Sequence, residues 1–387
     1  MSNLDWAVLV ITLMVIVLYG VYKSRGTQNI NGFLLGNQSM PWYSVCLSVM
    51  ATQASAITFL SAPGLAYASG MSFVQFYLGL PLAMIVLCIT FVPIFHRMKV
   101  YTAYEYLEQR FDLRTRALTA FLFLIQRGLS TGITIYAPAI ILSAILNINP
   151  TFTTILIGSI VIFYTVYGGS KAVSYTQMLQ MAIIFCGLFA AGVIVVQLLP
   201  ADVGFKKAIS IAGKMGRTNA FDFSFDWNNQ YTVWSGLIGG FFLQLSYFGT
   251  DQSQVGRYLT GSSIGQSRMG LLMNGLVKIP MQFLILLIGV LVFAFYQYTK
   301  PPVFFNSFEL NKLEKSPHQA ELNAIKAEYS TAFQEKQQEL EKLSVALDQK
   351  DQKTIDQQRV VLQEADDKAK DIRKKTTDLM LKNDPNA

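Results

Sequence analysis

The sequence predicts an all-α, polytopic membrane protein with a polar helical tail. Hydrophobic residues make up 52% of the 387 residues and charged residues only 14%, whereas soluble domains have about 25% charged residues. Long apolar runs fill the chain up to Lys300, and the sequence beyond is polar and rich in charge. We therefore expect a transmembrane transporter domain at 1–300 and a helical insertion or tail at 301–387.

Eight apolar segments are long enough to cross a bilayer, which takes about 20 mostly apolar residues. Several exceed that length, which predicts tilted or interrupted helices. The predicted spans are 4–22, 41–69, 71–95, 117–146, 151–168, 173–199, 232–249 and 269–298.

The basic residues of the short loops predict the orientation, because positive loops are retained in the cytoplasm. Lys23 and Arg25 follow the first span, whereas the connections near Gly70 and Asn149 carry no lysine or arginine. We expect a multi-pass protein of the plasma membrane, or of the inner membrane in a bacterium, with the N-terminus and the tail outside. The longer loop 200–231 is basic on the predicted outer side, and we expect a surface helix near 204–214.

The tail is rich in Glu, Lys, Gln and Ala. Leu340, Leu343 and Leu347 fall on one helical face, which predicts one or two long helices folded back near Asp351. A solvated spacer and a partner-binding coiled coil both fit this pattern, and we favour the spacer.

The same composition argues against other classes of protein. The net charge of +7 comes from residues that lie mainly between apolar runs, so no nucleic-acid partner is expected. Cys46, Cys88 and Cys186 lack paired spacing, and His96 and His318 are far apart, so neither a disulfide framework nor a histidine metal site is predicted. The spans contain no plausible acid–base pair, and we expect no enzyme, no catalytic residue and no organic cofactor.

The second span has the composition of an interrupted helix. Residues 48–64 are mostly small or hydroxylated, and Pro63-Gly64 ends the segment. Such a helix can unwind inside a protein and turn its carbonyls toward sodium, although tight packing through small residues fits as well. The seventh span is also interrupted and polar between Gly239 and Gln252, and paired broken spans are typical of a transporter site.

Two polar side chains inside other spans stand out. Lys278 lies well inside the eighth span, about 15 Å of helix rise from Arg268, and such a lysine is costly unless it snorkels, pairs or faces a cavity. We favour a cavity. Gln75, early in the third span, by itself predicts an interhelical hydrogen bond.

Three segments resemble, in order, signature motifs of the sodium:solute symporter family. They are 102–111, 164–173 and 250–259. The resemblance implies a leucine-transporter-like fold, in which two inverted five-helix repeats follow a leading helix. It also implies sodium-coupled symport of a small solute, a sugar or an organic anion or vitamin, across the lipid bilayer by alternating access, with sodium as the only metal ion.

The resemblance implies a sodium site at the break in the first core helix, with the carbonyls of Ala51 and Ala54 as ligands and Ser55 in the same site. In the family, two hydroxyl residues on core helix eight complete this site. That helix and two others are not in the sequence, so we expect an incomplete bundle, either truncated or completed by a second chain.

The implied solute-binding positions depend on the branch of the family. The sugar-transporting branch implies Gln53, Thr58, Gln75, Gln244, Tyr247 and Lys278. Gln75 and Thr58 depart from that branch, and Gln177 stands where many members have aspartate. The segment 131–139 instead resembles the branch that carries iodide, vitamins and monocarboxylates, which adds Tyr136. A transporter-like sensor or scaffold, and a non-functional fragment of a symporter, are the alternatives.

Overall fold

The computed structural model describes residues 3–24, 30–146 and 148–384, and these ranges are built mainly of helices. They form two compact units. The first comprises Met1–Ala62, Ser72–Phe189 and Ala220–Ile285, and the second comprises Pro63–Met71, Ala190–Asn219 and Leu286–Ala387. This division differs from the predicted boundary at residue 300, because the tail groups with three stretches from the apolar part of the chain.

The first unit contains most of the apolar helices. Its helices are Asn3–Ser24, Ile30–Leu35, Trp42–Gln53, the start of Ala56–Ser69, Leu80–Ile89, Phe91–Arg97, Ala103–Arg110, Leu113–Leu146, most of Pro150–Gln197, Gly240–Thr250, Gln252–Tyr258 and the larger part of Ile264–Tyr298, with 3₁₀ turns at Gly36–Gln38 and Ser72–Tyr77 and a π-helical turn at Ser235–Gly239.

Four stretches of the described residues are long and apolar enough to cross a membrane, and one bent helix pair can form a fifth span. The four are Ser72–Arg97, Leu113–Ser143, Gly169–Gln197 and Ile264–Tyr298, and the pair is Trp42–Gln53 with Thr58–Ser69. They overlap the predicted spans 71–95, 117–146, 173–199, 269–298 and 41–69. The shorter apolar helices Trp6–Gly20 and Pro150–Ile162 overlap the predicted spans 4–22 and 151–168.

The predicted span 232–249 is not among these candidates. Its chain runs as a π-helical turn at Ser235–Gly239 and then as the α-helix Gly240–Thr250. Composition alone does not reveal this change of helix type, because a π-turn depends on local packing rather than on apolar content.

Gly169 separates two spans that the hydrogen bonding alone would join into the helix Pro150–Gln197. Its backbone has φ 57° and ψ −170°, a region open essentially to glycine alone. A Cβ at this position would lie 2.9 Å from the ring of Phe33. The break agrees with the sequence analysis, which predicts separate spans at 151–168 and 173–199.

Glycines allow the third and seventh predicted spans to approach each other closely. A Cβ on Gly236 would overlap the backbone carbonyl of Gln75, and one on Gly240 would lie 2.6 Å from the carbonyl oxygen of Phe76. Backbones can approach this closely only where no side chain intervenes. The contact fixes the turn that carries Gln75 against the helix that carries Gln244.

The second unit contains the helices Gly204–Lys214, Ser307–Glu314, Gln319–Gln349 and Gln352–Asn383. The last two form a hairpin, in which Lys350 adopts a left-handed conformation with φ 56° and Asp351 caps the second helix. The surface helix and the hairpin lie where the sequence analysis expects them.

The tail has its own apolar core, so it differs from the solvated spacer favoured from the sequence. Its core residues are Val303, Leu313, Leu322, Ile325, Tyr329, Ala332, Ile372, Leu379 and Met380. Lys207 of the surface helix also pairs with Asp348 at 2.8 Å. The tail is packed rather than solvated because both of its long helices bury an apolar face.

Candidate functional site

The second predicted span is broken at Ala54 and Ser55, and its two halves are bent by 60°. The N–H of Ser55 donates to Gln53 at 3.1 Å, and the N–H of Thr58 donates to Ser55 at 2.9 Å. In a continuous helix these two N–H groups would bond the carbonyls of Ala51 and Ala54. The break therefore releases both carbonyls that the sequence analysis assigns to sodium.

Two of the predicted solute-binding residues meet across the interrupted spans. Nε2 of Gln53 donates to Oε1 of Gln244 at 3.3 Å. Gln244 is buried, and the buried Oε1 of Gln53 has no hydrogen-bond partner among the described residues. This acceptor, next to the helix break, can take a hydrogen bond from a solute.

Tyr247 lies one helical turn beyond Gln244, at the edge of a cavity of about 300 Å³. Its hydroxyl accepts a hydrogen bond from Nε2 of Gln254 at 2.9 Å. Asp251 lines the same cavity and pairs with Arg127 at 3.0 Å. Sequence reasoning missed Arg127, although a charged residue inside the apolar run 117–146 is a signal that could have found it.

Lys278 is fully buried, and its Nζ has no hydrogen-bond partner among the described residues. The Nζ lies 5.5 Å from the centroid of the Tyr77 ring, a cation–π contact. Asn274 and Gln282, four residues to either side, are also fully buried and without partners. The three polar groups lie on one face of the helix, a spacing that sequence reasoning missed.

Gln75 makes three hydrogen bonds, all with backbone groups. Its Nε2 donates to the carbonyls of Ser72 at 3.2 Å and Tyr231 at 2.8 Å, and its Oε1 accepts from the N–H of Asp222 at 2.8 Å. The residue is fully buried. These bonds give Gln75 a structural role for the 222–231 loop, and its role in solute binding stays a prediction.

The side chains of Tyr136 and Thr58 make no hydrogen bond to the other predicted residues in the part of the chain that the structure describes. Tyr136 lies on the helix Leu113–Leu146 with 55% of its surface exposed. Thr58 is half-buried, just beyond the break. Their assignment to the solute site also stays a prediction.

A polar contact links the helix before the break to the sixth predicted span. The hydroxyl of Ser48 donates to Oε1 of Gln177 at 2.6 Å, and Nε2 of Gln177 donates to the hydroxyl of Thr52 at 3.0 Å. From the sequence alone, Gln177 is only a departure from the family pattern. The amide can both donate and accept here, which a carboxylate cannot do.

Two of the three motif segments contact each other. Oε1 of Gln252 accepts from the N–H of Ala103 at 2.8 Å, and its Nε2 donates to the carbonyl of Tyr101 at 3.2 Å. The hydroxyl of Tyr104 donates to the carbonyl of Thr250 at 3.2 Å. The motifs therefore hold the end of the seventh span against the loop after the third.

Comparison with known proteins gives consistent matches. The model of the Sodium:solute symporter family matches residues 33–307. The Homo sapiens sodium/iodide cotransporter is 31% identical over 298 residues, which are 76% of this chain and 45% of the relative. The Xenopus laevis sodium-coupled monocarboxylate transporter 1 is 31% identical over 274 residues, 70% of this chain and 44% of the relative.

A solved structure has a similar fold. It is a Na⁺-coupled sialic acid symporter in a substrate-bound, outward-open state, with a TM-score of 0.74 and 26% identity over 79% of this chain and 65% of that chain. This chain spans less than half the length of the curated relatives named above. The matches confirm the resemblance seen in the motifs, and the chain belongs to the sodium:solute symporter family, as an all-α, multi-pass membrane protein.

Proposed function

We propose that this chain forms part of a sodium-coupled symporter, which carries a small anion across the plasma membrane by alternating access. The observation that carries the choice of an anion is the fully buried Lys278. No carboxylate pairs with its ammonium within 4 Å among the described residues, and a buried cation without a counter-charge is costly. An anionic solute supplies that charge.

Sodium would bind at the break beside Ala54. The carbonyls of Ala51 and Ala54 have lost their helical partners there, and unwound carbonyls are the usual sodium ligands of transporters with broken helices. Ser55 adds a hydroxyl at the same turn. Each sodium ion that crosses the membrane with the potential contributes about 2.3 kcal/mol per 100 mV, which can drive solute uptake if sodium and solute favour the same conformation.

The solute would lie near the break and contact both interrupted spans. Lys278 would bind its negative charge, the free acceptor of Gln53 and the side chain of Gln244 would bind its polar groups, and Tyr247 would cover it. Thr58, Gln75 and Tyr136 complete the proposed set. The names of the relatives point the same way, since iodide and monocarboxylates are anions.

The N-terminus and the tail are proposed to lie outside, as the basic loops predict. The chain spans less than half of its relatives' length. We therefore propose that further residues, in the same or a second polypeptide, complete the bundle in the lipid bilayer.

Thermal unfolding of the complete bundle in phosphatidylcholine nanodiscs tests the choice of solute. A ligand of the folded state raises the melting temperature with its concentration. We expect at least one of pyruvate, iodide and biotin to raise it in sodium chloride and not in choline chloride, while glucose leaves it unchanged. A shift with glucose and with none of the three anions would overturn the anion assignment.

A further inference from the structure

A second cavity lies within the second compact unit and shares no residue with the proposed transport site. Its volume is about 230 Å³. Residues of the tail hairpin line it, together with Tyr67, Arg217 and the end of the helix Ile264–Tyr298. The symport mechanism proposed above gives this cavity no role.

The cavity has an excess of positive charge. Arg217, Lys336 and Arg373 line it, whereas Asp366 is the only carboxylate among the described lining residues. The exposed Lys370 also lines it, but its ammonium pairs with Asp367 at 2.7 Å, outside the lining. Lys336 pairs with Asp366, and Nη2 of Arg217 lies 3.9 Å from the second oxygen of the same carboxylate. One carboxylate therefore serves the buried Lys336 and the half-buried Arg217, and Arg373 has no ion pair within 4 Å in the described part of the chain.

Several polar atoms in this cavity lack partners. Nε of Arg217, Nε of Arg373, Oε1 of Gln297 and Oδ2 of Asp366 are buried without a hydrogen bond in the described structure. The side chains of Lys336 and Asp366 are only 8% and 9% exposed. Burial lowers the pKa of Lys336, and the neighbouring Asp366 opposes that shift. Each guanidinium also donates to a backbone carbonyl, Nη1 of Arg217 to Ala68 at 2.6 Å and Nη2 of Arg373 to Pro302 at 2.9 Å. The remaining Nε–H donors lie in a cation-rich cavity, which favours an anion, because guanidinium groups form strong hydrogen bonds with carboxylates.

Aromatic rings form the apolar part of the wall. The Arg217 guanidinium lies 4.7 Å from the ring of Phe293, and that of Arg373 lies 5.5 Å from the ring of Tyr329. Tyr67 packs edge-on against Phe293, with ring centroids 5.8 Å apart. Such a wall offers a ring-bearing ligand both aromatic contact and a cation at its charged end.

We infer that this cavity binds a small organic carboxylate with an aromatic or apolar body, at a site distinct from the one around Lys278. The volume of about 230 Å³ falls below the range of roughly 300–1,000 Å³ usual for drug-sized ligands, so the occupant is small. The carboxylate contacts Arg373 and Arg217, and the body of the ligand contacts the rings of Tyr329 and Phe293.

Isothermal titration of the full chain with benzoate tests the site. The protein is held in phosphatidylcholine nanodiscs in choline chloride, so that neither sodium nor an anionic lipid contributes. We expect saturable binding of benzoate, and binding of benzyl alcohol and of acetate weaker by about tenfold or more. Equal binding of benzyl alcohol would refute anion recognition, and equal binding of acetate would refute the role of the rings.

Arg373→Gln should weaken benzoate binding by about tenfold or more, since it removes a cation from a buried site. Arg373→Lys keeps the charge, and Lys374→Gln makes the same charge change on the exposed next residue; both should bind benzoate within about fivefold of the unmodified protein. Melting curves of all three variants check that each is folded.

Lys278→Met separates this site from the proposed transport site, and it should leave benzoate binding unchanged. Absence of saturable benzoate binding, or equal affinity in Arg373→Gln and the unmodified protein, would overturn the inference. Loss of binding in Lys278→Met with retention in Arg373→Gln would assign the benzoate to the transport site and overturn it as well. Failure of sodium coupling would leave these results unaffected, because sodium is absent throughout.

Discussion

Lys278 is the residue on which the choice of solute depends. Its ammonium is fully buried against the Tyr77 ring, and a cation–π contact supplies only about 2 kcal/mol when both groups are desolvated. That is less than the roughly 2.5–3.5 kcal/mol that a lysine costs at the centre of a membrane helix. A bound anion would make up the difference. Lys278 therefore lowers the stability of the protein without ligand and provides the charge that binds the anion.

Replacing Lys278 with methionine should therefore stabilise the protein and abolish its response to the anion. We expect the melting temperature of Lys278→Met to rise by several degrees, since an apolar side chain of similar length fits the site without charge. The rise caused by the stabilising anion should disappear. Lys206→Met, on an exposed position of the surface helix, serves as the control and should change neither quantity. Destabilisation of Lys278→Met with an unchanged anion response would contradict this role.

The Gln53–Gln244 hydrogen bond can be tested by a double-mutant cycle. Gln244→Leu leaves the half-buried amide nitrogen of Gln53 without its acceptor, which should cost about 1–3 kcal/mol of stability. Gln53→Leu/Gln244→Leu removes both partners and should cost less than the sum of the two single changes. Gln357→Leu, on an exposed face of the tail, should change stability by no more than about 0.5 kcal/mol. Strictly additive single changes would show that the two residues do not interact.

At the scale of the element, the interrupted helices position the site. The break at Ala54 redirects two backbone N–H groups, and the glycine contacts bring the turn of Gln75 against the seventh span. Gly169 makes a further break between two spans. Each of these features fixes the position of a backbone segment: the break exposes carbonyls near the site, and the glycines permit contacts that a side chain would block.

Gly169→Ala should destabilise the protein, because its backbone conformation is open essentially to glycine alone and a Cβ would press on Phe33. We expect a loss of about 1–3 kcal/mol, measured as a lower melting temperature. Gly158→Ala in the same stretch has open space around the new Cβ and should be neutral or stabilising by up to about 1 kcal/mol. Equal effects of the two changes would rule out the proposed strain.

The tail hairpin depends on the cap formed by Asp351. Its carboxylate accepts hydrogen bonds from the hydroxyl and the N–H of Thr354 and from the N–H of Lys353, and the Thr354 hydroxyl is the main cause of its lowered pKa. A lowered pKa means that the ionised form stabilises the fold above the ordinary value of 3.8. That contribution is lost as the pH falls through the lowered pKa.

Asp351→Ala should consequently lower the melting temperature at pH 7, and the difference from the unmodified protein should disappear at strongly acidic pH. Thermal melts over a series of pH values measure this. Asp371→Ala, on the exposed side of the same helix, should show no such dependence. A difference that persists unchanged in acid would exclude a role for the ionised carboxylate.

At the scale of the whole molecule, the sequence predicts the helical membrane class and most span positions, because apolar length alone determines them. Composition also indicates an interrupted or tightly packed second span and a Lys278 that faces a cavity, whereas only the family resemblance implies the position of the break near Ala54. The partners of Gln75, the Arg127–Asp251 pair and the cation-rich cavity are not, because each depends on contacts between residues that are distant in sequence. The division into two compact units is not predicted from the sequence either, because it groups segments that are distant from one another in the chain.

Sodium dependence of solute uptake tests the central claim most directly. The complete bundle, this chain together with the residues proposed to complete it, is reconstituted into proteoliposomes. Uptake of a radiolabelled anion that raises its melting temperature is measured with either sodium or potassium outside. The account predicts uptake that requires sodium and increases with an inside-negative potential, because the broken helix binds the cation that carries the charge. Equal uptake in potassium would contradict it.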